Sequence, residues 1–226
     1  MSAGVLVFDM DGVLVDVSES YRETIRRTVE HYTGQQVSRE LIQDCKNRGG
    51  WNNDWELAHH LIARAGVEVA YDDVVRYFLD IFLGRNDDGL VARERWVAGP
   101  GLLERLSARF GLAIFTGRTL DELQVTLNRF ASHIRFDPLV TAEAVSAPKP
   151  SPEGLLRIAA ENPGRKLWYV GDAVDDARSA KAAGVPFIGI AAPANPRRRE
   201  LEGLFQAESA IAVLDDINQL ESVLPS

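Results

Sequence analysis

The chain has 226 residues, 25 basic and 33 acidic side chains for a formal charge of −8, and is 46% hydrophobic and 26% charged. This is a globular composition long enough to bury a real core, and it excludes collagen, coiled coil and extended disorder. The acid excess excludes a broad nucleic-acid footprint, and the single cysteine, Cys45, excludes an internal disulfide.

In chain order, Val5-Leu6-Val7-Phe8 is a short apolar run that reads as a strand buried on both faces, ending on Asp9. The apolar stretch ahead of Asp9 is too short for a signal peptide or a membrane span, so a cytoplasmic location without a membrane partner is expected. From Val17 to Trp96 no strand pattern is found, only helical periodicity. Ile25, Val29 and Tyr32 form one stripe, Leu57, Leu61 and Ile62 another, and Val74, Val75, Phe78, Leu79 and Phe82 a third. Gly34, Gly49-Gly50, Gly66 and the run Gly84-Arg85-Asn86-Asp87-Asp88-Gly89 break these helices. Gly99-Pro100-Gly101 reads as the return from this block.

Beyond it, Leu102, Leu103, Leu106 and Phe110 predict a helix, and Leu112–Phe115 a strand ending on Thr116. Leu120, Leu123, Leu127 and Phe130 predict a further helix, and Pro138–Val140 a short strand. Ser151 reads as a cap with Pro152 at the first helical position of a helix carrying Leu155, Leu156, Ile158 and Ala159. Leu167–Val170 is a strand ending on Gly171-Asp172, and Pro186–Ile190 another. Alternating strands and helices imply an α/β fold: a parallel sheet with helices on both faces, interrupted by an inserted α-helical block. The expected division is a core of residues 1–16 and 97–226 and a helical insert of residues 17–96.

In an open α/β sheet, ligands bind beyond the carboxyl ends of the strands. Those ends carry Asp9, Thr116 and Asp172, with Asp11, Lys149, Asp175 and Asp176 close in sequence. Acids gathered there repel one another and lose water, so a cation is needed. An all-oxygen set suits a hard ion such as Mg²⁺, completed by substrate phosphate.

These residues resemble the four motifs of the haloacid dehalogenase superfamily: Asp9-Met10-Asp11-Gly12-Val13-Leu14, Thr116-Gly117-Arg118, Lys149-Pro150 and Gly171-Asp172-Ala173-Val174-Asp175-Asp176, in order over nearly the whole chain. The resemblance implies a Rossmann-like core with a type 1 helical cap domain, and is closest to phosphoglycolate-phosphatase-like members. It implies a Mg²⁺-dependent phosphatase acting on a small phosphorylated metabolite. Asp9 would be the nucleophile and Asp11 the acid and base. Thr116 would offer its hydroxyl and backbone N–H to the phosphoryl group, and Lys149 would offset charge. The metal would be held by Asp9, Asp172 and the backbone carbonyl of Asp11, with Asp176 or Asp175 ordering metal-bound water. Gly12 would let the backbone approach the phosphate, with Gly117 beside it. A β-phosphoglucomutase-like mutase shares all four motifs and is the alternative. A phosphonate hydrolase is disfavoured by Asp11, although Lys46 keeps a trace of it. A fold retained for binding without turnover is disfavoured by the complete motif set.

Several features carry two readings. Arg118 departs from the small or amide residue common at its position, and either touches substrate or forms a surface salt bridge. In Lys46-Asn47-Arg48-Gly49-Gly50-Trp51-Asn52-Asn53-Asp54-Trp55, either Arg48 or Lys46 faces the substrate with Trp51 as an apolar wall, or the segment is a Gly-Gly turn and helix cap with Trp55 in the core. Asp16 and Glu19 read as a capping box for the first insert helix. Glu56, His59 and His60 lack the partners of a metal bundle, and Arg197-Arg198-Arg199, followed by Glu200 and Glu202, reads as a solvated helix start.

Overall fold

A computed structural model describes residues 4–86 and 88–225. Asp87, one of the expected helix-breaking residues, lies outside the described residues, as do residues 1–3. Six parallel strands form the main sheet: β1 (Val5–Phe8), β4 (Gly111–Phe115), β5 (Leu139–Val140), β6 (Leu167–Gly171), β7 (Phe187–Ile190) and β8 (Ala212–Leu214). Their order is β5-β4-β1-β6-β7-β8, so the chain winds outward from β1 in one direction and then in the other. Val5 of β1 pairs with Gly111 on one side and Leu167 on the other. This centres the sheet on β1 and opens a crevice beyond its carboxyl end.

Side chains alternate across the sheet. Leu6, Phe8, Leu112, Ile114, Trp168 and Val170 face α5 (Leu102–Arg109) and α6 (Leu120–Phe130). Val5, Val7, Ala113, Phe115 and Tyr169 face α7 (Glu153–Glu161), α8 (Val174–Ala183) and α9 (Arg198–Ala207). Both faces of every central strand are covered, which is why these strands read as unbroken apolar runs.

The helical insert consists of α1 (Tyr21–Thr33), α2 (Arg39–Arg48), α3 (Asp54–Arg64) and α4 (Tyr71–Leu83). Ile25, Val29, Leu57, Leu61, Ile62, Val74, Phe78 and Phe82 are buried, so the three apolar stripes form the insert's core. Two short strands join insert to sheet: β2 (Val15–Asp16) pairs antiparallel with β3 (Arg95–Trp96), and Asp16 and Arg95 form an ion pair. Sequence periodicity misses this pair because two residues hold no period. The Asp16–Glu19 capping box is not formed. Asp16 accepts from the Ser18 N–H and from Arg95 instead, while Glu19 pairs with Arg39. Ser151 lies one residue further out than expected, with Pro152 at the N-cap of α7 and the Ser151 hydroxyl accepting from Glu153 N–H.

Candidate active site

Three adjacent strands end at one mouth. Asp9 follows β1, Asp172 follows β6 and Thr116 follows β4. The carboxylates of Asp9, Asp172 and Asp176 converge, with one oxygen from each lying within 4.8 Å of the others. Asp176, in the first turn of α8, is fully buried, and every oxygen lone pair is engaged. Lys149 Nζ lies 2.8 Å and the Tyr169 hydroxyl 2.7 Å from Oδ1, while the backbone N–H groups of Asp172 and Ala173 donate to Oδ2. A carboxylate so occupied has little left for direct ligation, so Asp9 and Asp172 are the acids free to hold a cation and Asp176 backs them. Asp175 points elsewhere and accepts the Gly50 N–H at 2.7 and 3.0 Å. The two acids that sequence could not separate thus face the cluster and the insert, respectively.

Burial is the largest influence on Asp9 and pushes its carboxyl up to about 7; Lys149 opposes the rise, while Asp176 and Asp11 add to it. Asp172 is held well above the usual carboxylate range, first by burial and then by Asp9, Asp176 and Asp11, with Arg22 opposing. Burial works against the charge on Lys149, but Asp176 and Asp9 outweigh it and keep the ammonium protonated. Lys149 lies 3.0 Å from Asp9 Oδ1, over the rings of Phe115 and Tyr169. One ammonium among three clustered acids leaves negative charge uncompensated. The donor set, all oxygen and lacking cysteine or histidine, fits a hard divalent cation.

The surroundings of the other expected residues are specific. The Thr116 N–H is bonded to Val140 O in the sheet ladder, so only its hydroxyl remains for a ligand. The Gly12 N–H donates to Val15 O, and at φ +73° a Cβ on this residue would fall 1.9 Å from Asp172 Oδ2, so the bare backbone also makes room for that carboxylate. Gly117 lies against Asn52 of the insert, where a Cβ would meet Asn52 Nδ2 at 2.5 Å. Arg118 is no surface residue. It is 2% exposed, and its guanidinium contacts Asp11 Oδ1, Glu94 and Thr126. Asp11 therefore stands apart from the acid trio with its carboxylate turned to Arg118.

Arg48 is exposed and does not line the cavity; its backbone carbonyl accepts from Arg178. Lys46, the other candidate, does line it and pairs with Asp54. Trp51 and Asn52 also border the cavity, while Asn53 caps α3 by accepting from Trp55 and Glu56 N–H. The segment is both wall and helix cap, and Trp55 is half-buried rather than core. Sequence reasoning missed Arg22, which projects from the first turn of α1 into the cavity beside Asp54. Burial opposes its charge, and Asp54, Asp172, Asp11 and Asp9 more than restore it. Nothing in the sequence separates Arg22 from its neighbours Arg26 and Arg27, which pair with Glu23 instead. Glu94 was missed too, a linker acid that carries no pattern.

The family model for haloacid dehalogenase-like hydrolases matches residues 6–190. The chain belongs to this family. Among relatives of the hydrolase, an imidazoleglycerol-phosphate dehydratase from Phytophthora nicotianae is 30% identical over 239 residues, covering 98% of this chain and 52% of the relative. The chain thus spans about half the length of that protein. A phosphoglycolate phosphatase from Mesorhizobium japonicum is 25% identical over 197 residues, covering 84% of this chain and 83% of its own. Among solved structures, phosphatase Tt82 from Thermococcus thioreducens superposes with a TM-score of 0.66 at 25% identity, covering 89% of this chain and 99% of its own. No helix among the described residues is long and apolar enough to cross a membrane.

Proposed function

We propose that this hydrolase is a Mg²⁺-dependent phosphatase of small phosphorylated metabolites. The observation that carries the reading is the convergence of Asp9, Asp172 and Asp176 at the strand ends, with a buried lysine, Lys149, against Asp9 and Asp176, beside a separate Asp11. The Mesorhizobium relative supports it, being named a phosphatase and matching over most of both chains. The Phytophthora relative extends well beyond the match, so its dehydratase activity is not carried over.

Asp9 is the nucleophile. Its free oxygen attacks phosphorus, the bond to the ester oxygen breaks, and that oxygen takes the electron pair and a proton from Asp11. A water then attacks phosphorus and yields a proton to Asp11, and the Asp9–phosphorus bond breaks to release phosphate. The Thr116 hydroxyl donates to a phosphoryl oxygen, and Lys149 offsets charge on Asp9 and the phosphoryl group. Asp9 and Asp172, with Asp176 behind them and the Asp11 backbone carbonyl as a further donor, would hold Mg²⁺, which would supply positive charge to offset that shared by nucleophile and phosphate.

Residues 17–96 act as a cap on a core of residues 1–16 and 97–226, and the cap restricts entry to small esters. Arg22, Gln43, Lys46, Trp51 and Asn52 present two cations, two amides and one indole above the acids. Such a surface suits a compact polar leaving group better than a lipid or protein.

The test is phosphate release from a panel of phosphorylated metabolites, with Mg²⁺ and with chelator. Release that depends on metal and falls at least a thousandfold in Asp9→Asn is expected. Rearranged sugar phosphate in place of inorganic phosphate would instead identify a mutase.

A further inference from the structure

Asp11 is held by a buried assembly drawn from four other parts of the chain. Arg118 Nε and Nη2 both donate to Asp11 Oδ1, at 2.8 and 2.5 Å. Arg118 Nη2 also reaches Glu94 Oε1 at 2.7 Å, Nη1 donates to Thr126 Oγ1 at 2.7 Å, and the Thr126 hydroxyl donates to Glu94 Oε2 at 2.7 Å. The guanidinium lies over the ring of Tyr21, 4.9 Å from its centroid. Glu94 comes from the segment returning from the insert, Thr126 from α6 and Tyr21 from α1. Arg118, Glu94 and Thr126 are each no more than 2% exposed, whereas the Asp11 side chain is 24% exposed and lines the cavity.

Burying an arginine and a glutamate in this way is costly unless each is fully partnered, and replacement by apolar side chains is often neutral or stabilising. A network this complete is therefore weak evidence for a role in stability. Its one solvent-facing member is Asp11, with Oδ1 fixed and Oδ2 free of any hydrogen bond among the described residues. The planar guanidinium fork sets direction as well as distance, which an ammonium does not.

We propose that Arg118, clamped by Glu94 and Thr126, is the positioning residue for Asp11: it fixes that carboxylate in the orientation from which Oδ2 serves the ester oxygen, and does not itself bind the phosphate. Because Glu94 leaves the insert just ahead of β3, the clamp also ties the insert's return segment to the group that serves the leaving oxygen. The proposal rests on the reading of Asp11 as acid and base.

The experiment compares phenyl phosphate with p-nitrophenyl phosphate, a poor and a good leaving group of nearly the same shape. It follows kcat/KM, which reports the first, phosphorus-transferring step. Removing Arg118 alone would strand the buried Glu94 carboxylate, so the main variant is the double substitution Glu94→Gln/Arg118→Met. Its kcat/KM for phenyl phosphate is expected to fall about a hundredfold and that for p-nitrophenyl phosphate less than tenfold. The inhibition constant of inorganic phosphate should stay within threefold. Arg118→Lys should show the same selectivity with a smaller loss, and it serves alone if the double variant fails to fold. Equal losses for both esters in a folded variant would make the network purely structural and overturn the proposal. So would a tenfold weaker inhibition by phosphate, which would make Arg118 a substrate ligand. Asp11→Asn is run alongside: if it too loses both esters equally, the reading of Asp11 fails. If only Asp11→Asn is selective, the positioning role alone fails.

Discussion

Gly12 shows how closely the first and last acidic motifs are fitted. With φ +73° and an imagined Cβ only 1.9 Å from Asp172 Oδ2, Gly12→Ala must both strain the backbone and displace a carboxylate proposed to hold the metal. The backbone term is roughly 1–2 kcal/mol. The larger effect belongs to the site: Mg²⁺ affinity, followed by titration calorimetry, is expected to fall at least tenfold. The Gly12-Asp172 contact was not legible in the sequence, where the glycine reads as a turn facing the phosphate. Asp9, Asp172 and Lys149 were legible because each lies at or near the end of an apolar run and has a chemistry that a strand end explains. Arg22, Glu94 and the inward turn of Arg118 were not, since a charged side chain in a helix or loop looks the same in sequence whether it meets water or a buried partner.

At the scale of elements, the weakest helix in the sequence does the docking. α2 buries only Ile42, Cys45 and Asn47, too few for a stripe, and no apolar pattern announces it. Yet it ends against α8, where Asp175 accepts the Gly50 N–H twice and Arg178 donates to Arg48 O. Arg197, ahead of α9, pairs with Asp44 of α2 at 2.6 and 3.1 Å. The first member of the arginine triplet thus reaches the insert while staying exposed to solvent. Asp175→Ala leaves the Gly50 N–H without its acceptor, a cost of about 1–3 kcal/mol to the docked arrangement. We expect KM to rise severalfold with kcat nearly kept, and hydrogen exchange at Gly50 to quicken. Asp175→Asn, which retains an acceptor oxygen, should restore much of both. Unchanged exchange in the alanine variant would show that the contact does not hold the insert down.

For the whole molecule, the clustered acids set a pH dependence whose sign can be stated. A carboxyl with a folded value near 7 and an ordinary unfolded value near 3.8 binds more proton folded than unfolded between those limits. Its contribution to the metal-free protein is therefore neutral below about pH 4, grows unfavourable as pH rises toward 7, and levels off above. It reaches at most about 4 kcal/mol. Asp172 acts in the same direction. Since a ligand carboxyl must be ionised to hold the cation, the gain in Tm on adding Mg²⁺ should be clearly larger at pH 8 than at pH 5.5. Equal gains would argue against Asp9 as a ligand.

The sequence by itself determined the α/β class, the central strands, the three insert stripes and the acids at the strand ends, because burial on both faces forces unbroken apolar runs and their ends stand out. It missed β8, whose residues Ala212–Leu214 form an edge strand only partly buried, and the β2–β3 pair. The tertiary structure alone decided which of Asp175 and Asp176 joins the cluster, that the Thr116 N–H belongs to the sheet, and that Arg118 turns inward to Asp11. Those outcomes depend on partners far apart in the chain competing for the same donors and acceptors. Local pattern carries hydrophobicity and turn geometry; only the assembled fold fixes which distant charge each buried polar group will meet.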